Sequence, residues 1–263
     1  MLEKRIHRPL LGCIADDFTG ASDLANNLVR AGMRTIQSIG VPTDSQTLNT
    51  DAIVISLKSR TISSHEAIKQ SLQAYEWLKA QGVERFYFKY CSTFDSTPQG
   101  NIGPVTEALM DAIYGEGKGF TIVCPAFPEA KRTIFNGHLF VGNELLSESG
   151  MRNHPLTPMT DANLVRVMQA QTQRIVGLVD YASVCVGPTE IQARFQALQN
   201  EGIAIAVLDV TCNQDLESIA LAIADIPLVT AGSGLAIGLP NNWRIRGLLD
   251  ATTYCHLLRA IKQ

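Results

Sequence analysis

The sequence predicts an α/β fold, a mostly parallel sheet with crossover helices. Two observations predict it: short apolar runs rich in Ile, Val and Phe, and longer segments of helical period between them. The runs are LLGCIA (10–15), TIQSIG (35–40), AIVISL (52–57), RFYFKY (85–90), FTIVCP (120–125), RIVGLV (174–179), AIAVLD (204–209) and PLVTA (227–231). Each is too short for a helix of the usual length and has the β-branched or aromatic content of a strand.

Helices fill the intervals. GASDLANNLVRAG follows the first run, and the clearest helix is SSHEAIKQSLQAYEWLKAQG (63–82). There Ser64 supplies a cap, Ala67, Ile68, Leu72, Tyr75 and Leu78 share one apolar face, and Gly82 ends the segment. GPVTEALMDAI, DANLVRVMQAQ, TEIQARFQALQNEG and DLESIALAIAD complete the alternation. Residues 125–161 are punctuated by Pro and Gly and only weakly periodic, so they read as a long irregular segment, a kind of segment that is often functional.

Composition narrows the function classes. The chain has 263 residues, 46% hydrophobic and 18% charged, enough for a full core in one large domain or two small ones. A formal net charge of -3 without any basic block argues against nucleic acid or anionic lipid as partner and leaves small ligands. No run reaches the ~18 apolar residues of a membrane span, and the N-terminal segment is a poor signal peptide, so a cytoplasmic location is expected. Cys13, Cys91, Cys124, Cys185, Cys212 and Cys255 form no CxxC pair, which predicts reduced thiols and no metal site.

In a doubly wound sheet ligands bind past the carboxyl ends of the strands. Four such ends are rich in chemistry: Asp16, Asp17, Thr19, Gly20 and Asp23; Lys58, Ser59 and Arg60; Lys89 with Ser92, Thr93, Asp95, Ser96 and Thr97; and Pro125, Pro128, Lys131 and Arg132. Singly, each has a plain structural reading: Asp17 or Thr19 as a helix cap, Lys58 and Arg60 as solvated cations, the hydroxyls as loop residues. His138 and His154 lack the partners of a metal site or triad and read as structural. Jointly the ends suit a polyhydroxylated acid. Carboxylates accept hydrogen bonds from sugar hydroxyls, and one beside a hydroxyl can take its proton. Arg60 offers a planar fork for a substrate carboxylate, and Lys89 a point charge. The N–H groups of Gly100-Asn101-Ile102-Gly103 are expected to favour an anion.

IADDFTGASD, ISLKSR, FYFKYCSTFDSTPQGNIGPV, RTIFNGHLFV, LLSESGMRNHPLTPM and LVTAGSGLA follow one another in an order that resembles the four-carbon acid sugar kinases, over about Leu11 to Trp243. The resemblance implies that residues 1–240 are an acid-sugar substrate-binding domain. It implies ATP-dependent phosphorylation of the terminal hydroxyl of a four-carbon acid of the 3-oxo-tetronate kind, with ATP and Mg2+ as cofactors. It places the acid near Asp16, Asp17, Arg60, Lys89, Ser92, Thr93 and Asp95, with residue chemistry assigning Arg60 to the substrate carboxylate and Asp17 to the proton. Residues 241–263 no longer resemble the family and stand where its nucleotide-binding domain begins, which predicts a truncated chain that is inactive alone. Gly232-Ser233-Gly234 remains as a nucleotide candidate, but it lies in a GxGxxxG spacing, and Ala231 replaces a usual glycine. Leu235, Ile237, Leu239 and Trp243 are then expected to be partly uncovered or packed under the tail. The alternatives are a catalytically silent acid-sugar-binding module and, last, an aspartate-based phosphatase, against which the adjacency of Asp16 and Asp17 counts. Self-association is left open.

Overall fold

The computed structural model describes residues 8–43, 49–249 and 259–260. Its centre is a sheet whose strands all run parallel: β1 (Leu11–Ala15), β2 (Thr35–Ile39), β3 (Ala52–Ser56), β4 (Phe86–Lys89), β5 (Thr121–Cys124), β9 (Val176–Val179), β10 (Ile205–Leu208), β11 (Leu228–Ala231) and β12 (Arg259–Ala260). The order is β12-β2-β3-β1-β4-β11-β5-β10-β9. All eight predicted runs are strands in it. Six of them, including β1 and β3, are buried along their whole length with helices on both faces, which is why they read as continuous apolar runs rather than alternating ones.

The crossovers are α1 (Phe18–Arg30), α2 (Ser64–Ala80), α3 (Ile102–Tyr114), α4 (Leu164–Gln169), α5 (Tyr181–Val184), α6 (Pro188–Asn200) and α7 (Asn213–Ala222), followed by α8 (Leu239–Ile245). α2 is capped by Ser63, not Ser64: the Ser63 hydroxyl accepts from the Glu66 N–H at 3.3 Å, and Ser64 is the first helical residue. Ser63 and Glu66 thus have the spacing of a capping box. Among the described residues no helix is long and apolar enough to cross a membrane.

Residues 125–161 are more ordered than their weak periodicity suggests. They carry a small antiparallel sheet, β6 (Arg132–Phe135), β7 (His138–Val141) and β8 (Glu144–Leu145). β6 and β7 meet through a two-residue loop in which Asn136 and Gly137 both have positive φ, 48° and 72°. That geometry matches the twist of a hairpin and favours Asn-Gly. The loop is anchored by Asp209 at the end of β10, fully buried, which accepts from the N–H groups of Asn136 (2.7 Å), Gly137 (2.8 Å) and Tyr181 (2.9 Å). Burial pushes this carboxyl up, although the three donors pull the other way. Asp209→Asn puts an NH2 group against at least one of those N–H donors and is expected to lower stability by about 1–3 kcal/mol. An unchanged urea midpoint would show that the carboxylate is dispensable.

The end of the described chain also departs from expectation. Leu235 and Leu239 are buried, and Ile237 and Trp243 are half-buried against the body of the domain, where α7 and α1 pack on residues 235–237. Asn242 Nδ2 donates to the Ala220 carbonyl at 2.5 Å, and Arg244 bonds the Ala31 carbonyl. The expected boundary at residue 240 therefore falls inside a bonded helix, α8. Residues 250–258 and 261–263 of the expected tail lie outside the described residues.

Candidate functional site

From β1 the chain passes to β2 and β3 on one side, and β4 lies against β1 on the other. The crevice past the carboxyl ends of β1 and β4 is thus a topological switch point, where an open α/β sheet accepts ligands. Asp16 follows β1 immediately, and its N–H donates to the Lys89 carbonyl at 3.0 Å. Asp17 is the N-cap of α1, with Oδ1 accepting from the Gly20 N–H at 3.1 Å.

Arg60 binds these groups together. Its Nε and Nη2 donate to the two carboxylate oxygens of Asp16 at 2.9 and 2.8 Å, Nη2 also to Asp17 Oδ1 at 2.6 Å, and Nη1 approaches Asp95 Oδ2 at 3.4 Å. Expected from its planar fork to hold a substrate carboxylate, Arg60 instead has that fork occupied by Asp16. The two adjacent aspartates also do not point apart as the pleat would make them, because the strand ends at Ala15 and both reach the same nitrogen. With both oxygens of Asp16 engaged, this carboxylate is not presented as a nucleophile.

The electrostatics follow from burial. Asp16 is 4% exposed, and burial pushes its carboxyl up against the hydrogen bond and charge of Arg60 and the charge of Lys89. Burial opposes the Arg60 charge, but its carboxylate partners, Asp16 first, more than offset this and raise its pKa. Asp17 is the more accessible partner, its side chain 26% exposed. Among the described residues every hydrogen bond of its carboxylate falls on Oδ1, which leaves Oδ2 for a ligand.

The β4 loop supplies the rest. Thr93 Oγ1 donates to Asp95 Oδ1 at 2.6 Å, and Phe94 and Asp95 both take left-handed backbone conformations, with φ of 65° and 42°. Two successive non-glycine residues in that region carry strain, which fits a loop shaped to present a side chain. Lys89 is buried, donates to the Tyr90 carbonyl at 2.6 Å, and lies under the first turn of α1, where a Cβ at Gly20 would stand 2.5 Å from its Nζ. Ser92 lies half-buried on the same loop. Lys58 and Lys131 are exposed and take no part in the Arg60 cluster.

Other expectations are corrected. The Gly103 N–H, offered to an anion on sequence grounds, already donates to Gln171 Oε1 at 2.9 Å. At Gly232 and Gly234 an added Cβ would meet the carbonyls of Pro125 and Ala126 at 2.7 and 2.6 Å, so close chain packing accounts for these glycines. Tyr87 Oη bonds the Gly232 carbonyl, and Asn27 Nδ2 donates to that of Ser233 at 2.8 Å. Among the described residues no group of three His, Cys, Asp or Glu side chains is set to hold a metal ion. The three aspartates surround a guanidinium, which already fills the place of a cation.

Asn101 and Gln171 are the structural residues that sequence reasoning missed. Asn101 Nδ2 reaches the carbonyls of Ser59 and Ile62, and Gln171 reaches Ser96. Asn101 lies in a glycine-flanked turn that invites attention to its backbone, not to its side chain. Gln171 is 75 residues from Ser96 and has no local signal at all.

The chain matches the family model described as a sugar-binding N-terminal domain over residues 11–239. The 3-oxo-tetronate kinase of Burkholderia multivorans is 61% identical to it over 237 residues, 90% of this chain and 55% of that one. A crystal structure of a Haemophilus influenzae protein superposes with a TM-score of 0.85 at 56% identity, covering 90% of this chain and 56% of that one. A Bordetella bronchiseptica domain of unknown function, crystallised with bound citrate as a domain-swapped dimer, matches with a TM-score of 0.74 at 27% identity over 89% of this chain and 56% of its own. The chain spans about half the length of the curated relatives it matches. With this cleft and this match along nearly all of its sheet, the chain belongs to the family of sugar-binding N-terminal domains and is a relative of the 3-oxo-tetronate kinases.

Proposed function

We propose that this chain is the acid-sugar-recognising half of an ATP-dependent kinase that phosphorylates the terminal hydroxyl of a four-carbon acid of the 3-oxo-tetronate type. The observation that carries this reading is the convergence of Asp16, Asp17 and Asp95 on Arg60 at the switch point, in a chain 61% identical to a 3-oxo-tetronate kinase. Arg60 acts as the post that holds the carboxylates in place. Asp17 Oδ2 faces the substrate hydroxyl and takes its proton. Thr93 orients Asp95, which grips a second hydroxyl together with Ser92, while Lys89 supplies positive charge for the acid group. Citrate in the Bordetella protein is a hydroxylated acid of the same chemical kind and supports this ligand class.

ATP and Mg2+ do not fit the described residues. The carboxylates are committed to Arg60, and the glycines of residues 232–234 are committed to packing. The phosphoryl donor is therefore assigned to groups outside the described residues, which the larger size of the relatives accommodates. The described residues through α8 serve as the substrate half.

In the test, calorimetry of the chain with erythronate, threonate and their 3-oxo forms is expected to show binding. Phosphate transfer from Mg-ATP to 3-oxo-tetronate is expected only after addition of the separately expressed second half of the Burkholderia enzyme, because positioning and charge stabilisation make up nearly all of such catalysis. No binding of any of these acids would overturn the ligand class. Transfer by the chain alone would overturn the division of labour.

A further inference from the structure

The start of α3 touches both loops of the cleft. Asn101, 7% exposed, turns its carboxamide to the loop after β3, where Nδ2 donates to the carbonyls of Ser59 (2.8 Å), Ile62 (2.9 Å) and Arg60 (3.3 Å). The nitrogen has two hydrogens, so the bonds to Ser59 and Ile62 are the main pair and the third carbonyl shares them. From the opposite side, the N–H groups of Ser59 and Arg60 donate to the Asp16 carbonyl at 2.9 and 3.3 Å. The segment that carries Arg60 is gripped between Asp16 and Asn101.

The same turn holds the second loop. Gln171 Oε1 accepts from Ser96 Oγ at 3.1 Å and from the Gly103 N–H at 2.9 Å, and its Nε2 reaches the Ser96 carbonyl at 3.4 Å. The flanking glycines let the backbone come this close. A Cβ at Gly100 would stand 1.9 Å from Ser96 Oγ, and one at Gly103 would stand 2.4 Å from Gln171 Cβ.

We propose that Asn101 is a positioning residue of the cleft, whose carboxamide braces the 59–62 segment and so sets the reach of Arg60 to Asp16, Asp17 and Asp95. An aspartate in its place would turn a carboxylate on three carbonyls, and an alanine would leave them without this donor. The sequence Gly-Asn-Ile-Gly is thereby explained as a brace: two glycines for approach and one amide for the hold. This inference stands on the cleft geometry and needs no phosphoryl transfer.

The test is ligand-free NMR of the whole chain. In Asn101→Ala the Arg60 Nε–H resonance is expected to move toward the position of a solvated guanidinium, and the amides of Ser59 and Arg60 to exchange about tenfold faster. The strands β9 and β10 keep their protection. Leu109→Val, a core change on the same helix, lowers stability without moving the Arg60 signal, which separates bracing from a general loosening. Should Asn101→Ala not fold, Asn101→Ser, which offers α3 a capping hydroxyl that the Asn101 side chain does not supply, is read in the same way. An unmoved Arg60 resonance with unchanged exchange at Ser59 and Arg60 would overturn the brace. Because no ligand is present, that outcome is distinct from failure of the phosphorylation reading, which shows as absent acid binding or absent transfer.

Discussion

Arg60→Ala is expected to lower folding stability by about 3–5 kcal/mol near neutral pH, the cost of leaving buried charge without its partner. The guanidinium is the common partner of Asp16, Asp17 and Asp95, and without it three carboxylates face one another in a cleft where Asp16 is shielded from water. The pH dependence has a definite sign. Burial already pushes the Asp16 carboxyl up, and Arg60 is the main restraint on that rise. In the variant the carboxyl rises further. A carboxyl raised in the folded state contributes stability that is complete below its unfolded value and is lost as pH climbs through the folded one. The deficit of Arg60→Ala should thus be smallest in mild acid, where Asp16 takes up a proton, and grow toward neutrality. Urea denaturation of both proteins at about pH 5 and about pH 8 measures it. Equal deficits at the two values would mean that Asp16 does not depend on Arg60 for its charge. Ligand binding should suffer as well, because the carboxylates lose their post.

Asp17→Asn is expected to cut turnover about 10²- to 10⁴-fold in a full-length kinase that carries the same IADDFTGASD segment. The amide oxygen can still accept from the Gly20 N–H and from Arg60, so the cap and the loop stay in place. What it cannot do is take a proton from the attacking hydroxyl. The change should therefore appear in kcat, with KM little altered. A variant with near-normal turnover would reduce Asp17 to a helix cap that also pairs with Arg60.

Much of this molecule is legible in its sequence, for reasons visible in particular elements. The strands of a parallel sheet buried on both faces announce themselves as apolar runs, and every run from LLGCIA to PLVTA is a strand. β6, β7 and β8 escape because they are short and largely half-exposed, so no apolar stretch marks them. Their signal is the Asn136-Gly137 pair between alternating residues, a cue of hairpin chemistry rather than of composition. The cleft residues Asp16, Asp17, Arg60, Thr93 and Asp95 are found by position, since each stands just past a run. Their pairing is another matter. Whether Arg60 faces a ligand or the aspartate 44 residues before it depends on how the loops fold back, which no local pattern encodes. The same holds for Asn101, whose partners lie about 40 residues upstream.

The order of strands has a consequence for how the protein is made. β11, the last long strand in the chain, occupies the middle of the sheet, between β4 and β5. Until residues 228–231 leave the ribosome, the block β2-β3-β1-β4 and the block β5-β10-β9 have no ladder between them, and each presents a bare apolar edge. β11 is thus a keystone: it slides into a waiting slot and joins two half-sheets in one step. A nascent chain arrested before Leu228 should be held by chaperones or aggregate, whereas one released a few residues beyond Ala231 can close. Pulse proteolysis of stalled chains of increasing length would show protection that sets in abruptly once β11 has left the ribosome, rather than spread along the sequence.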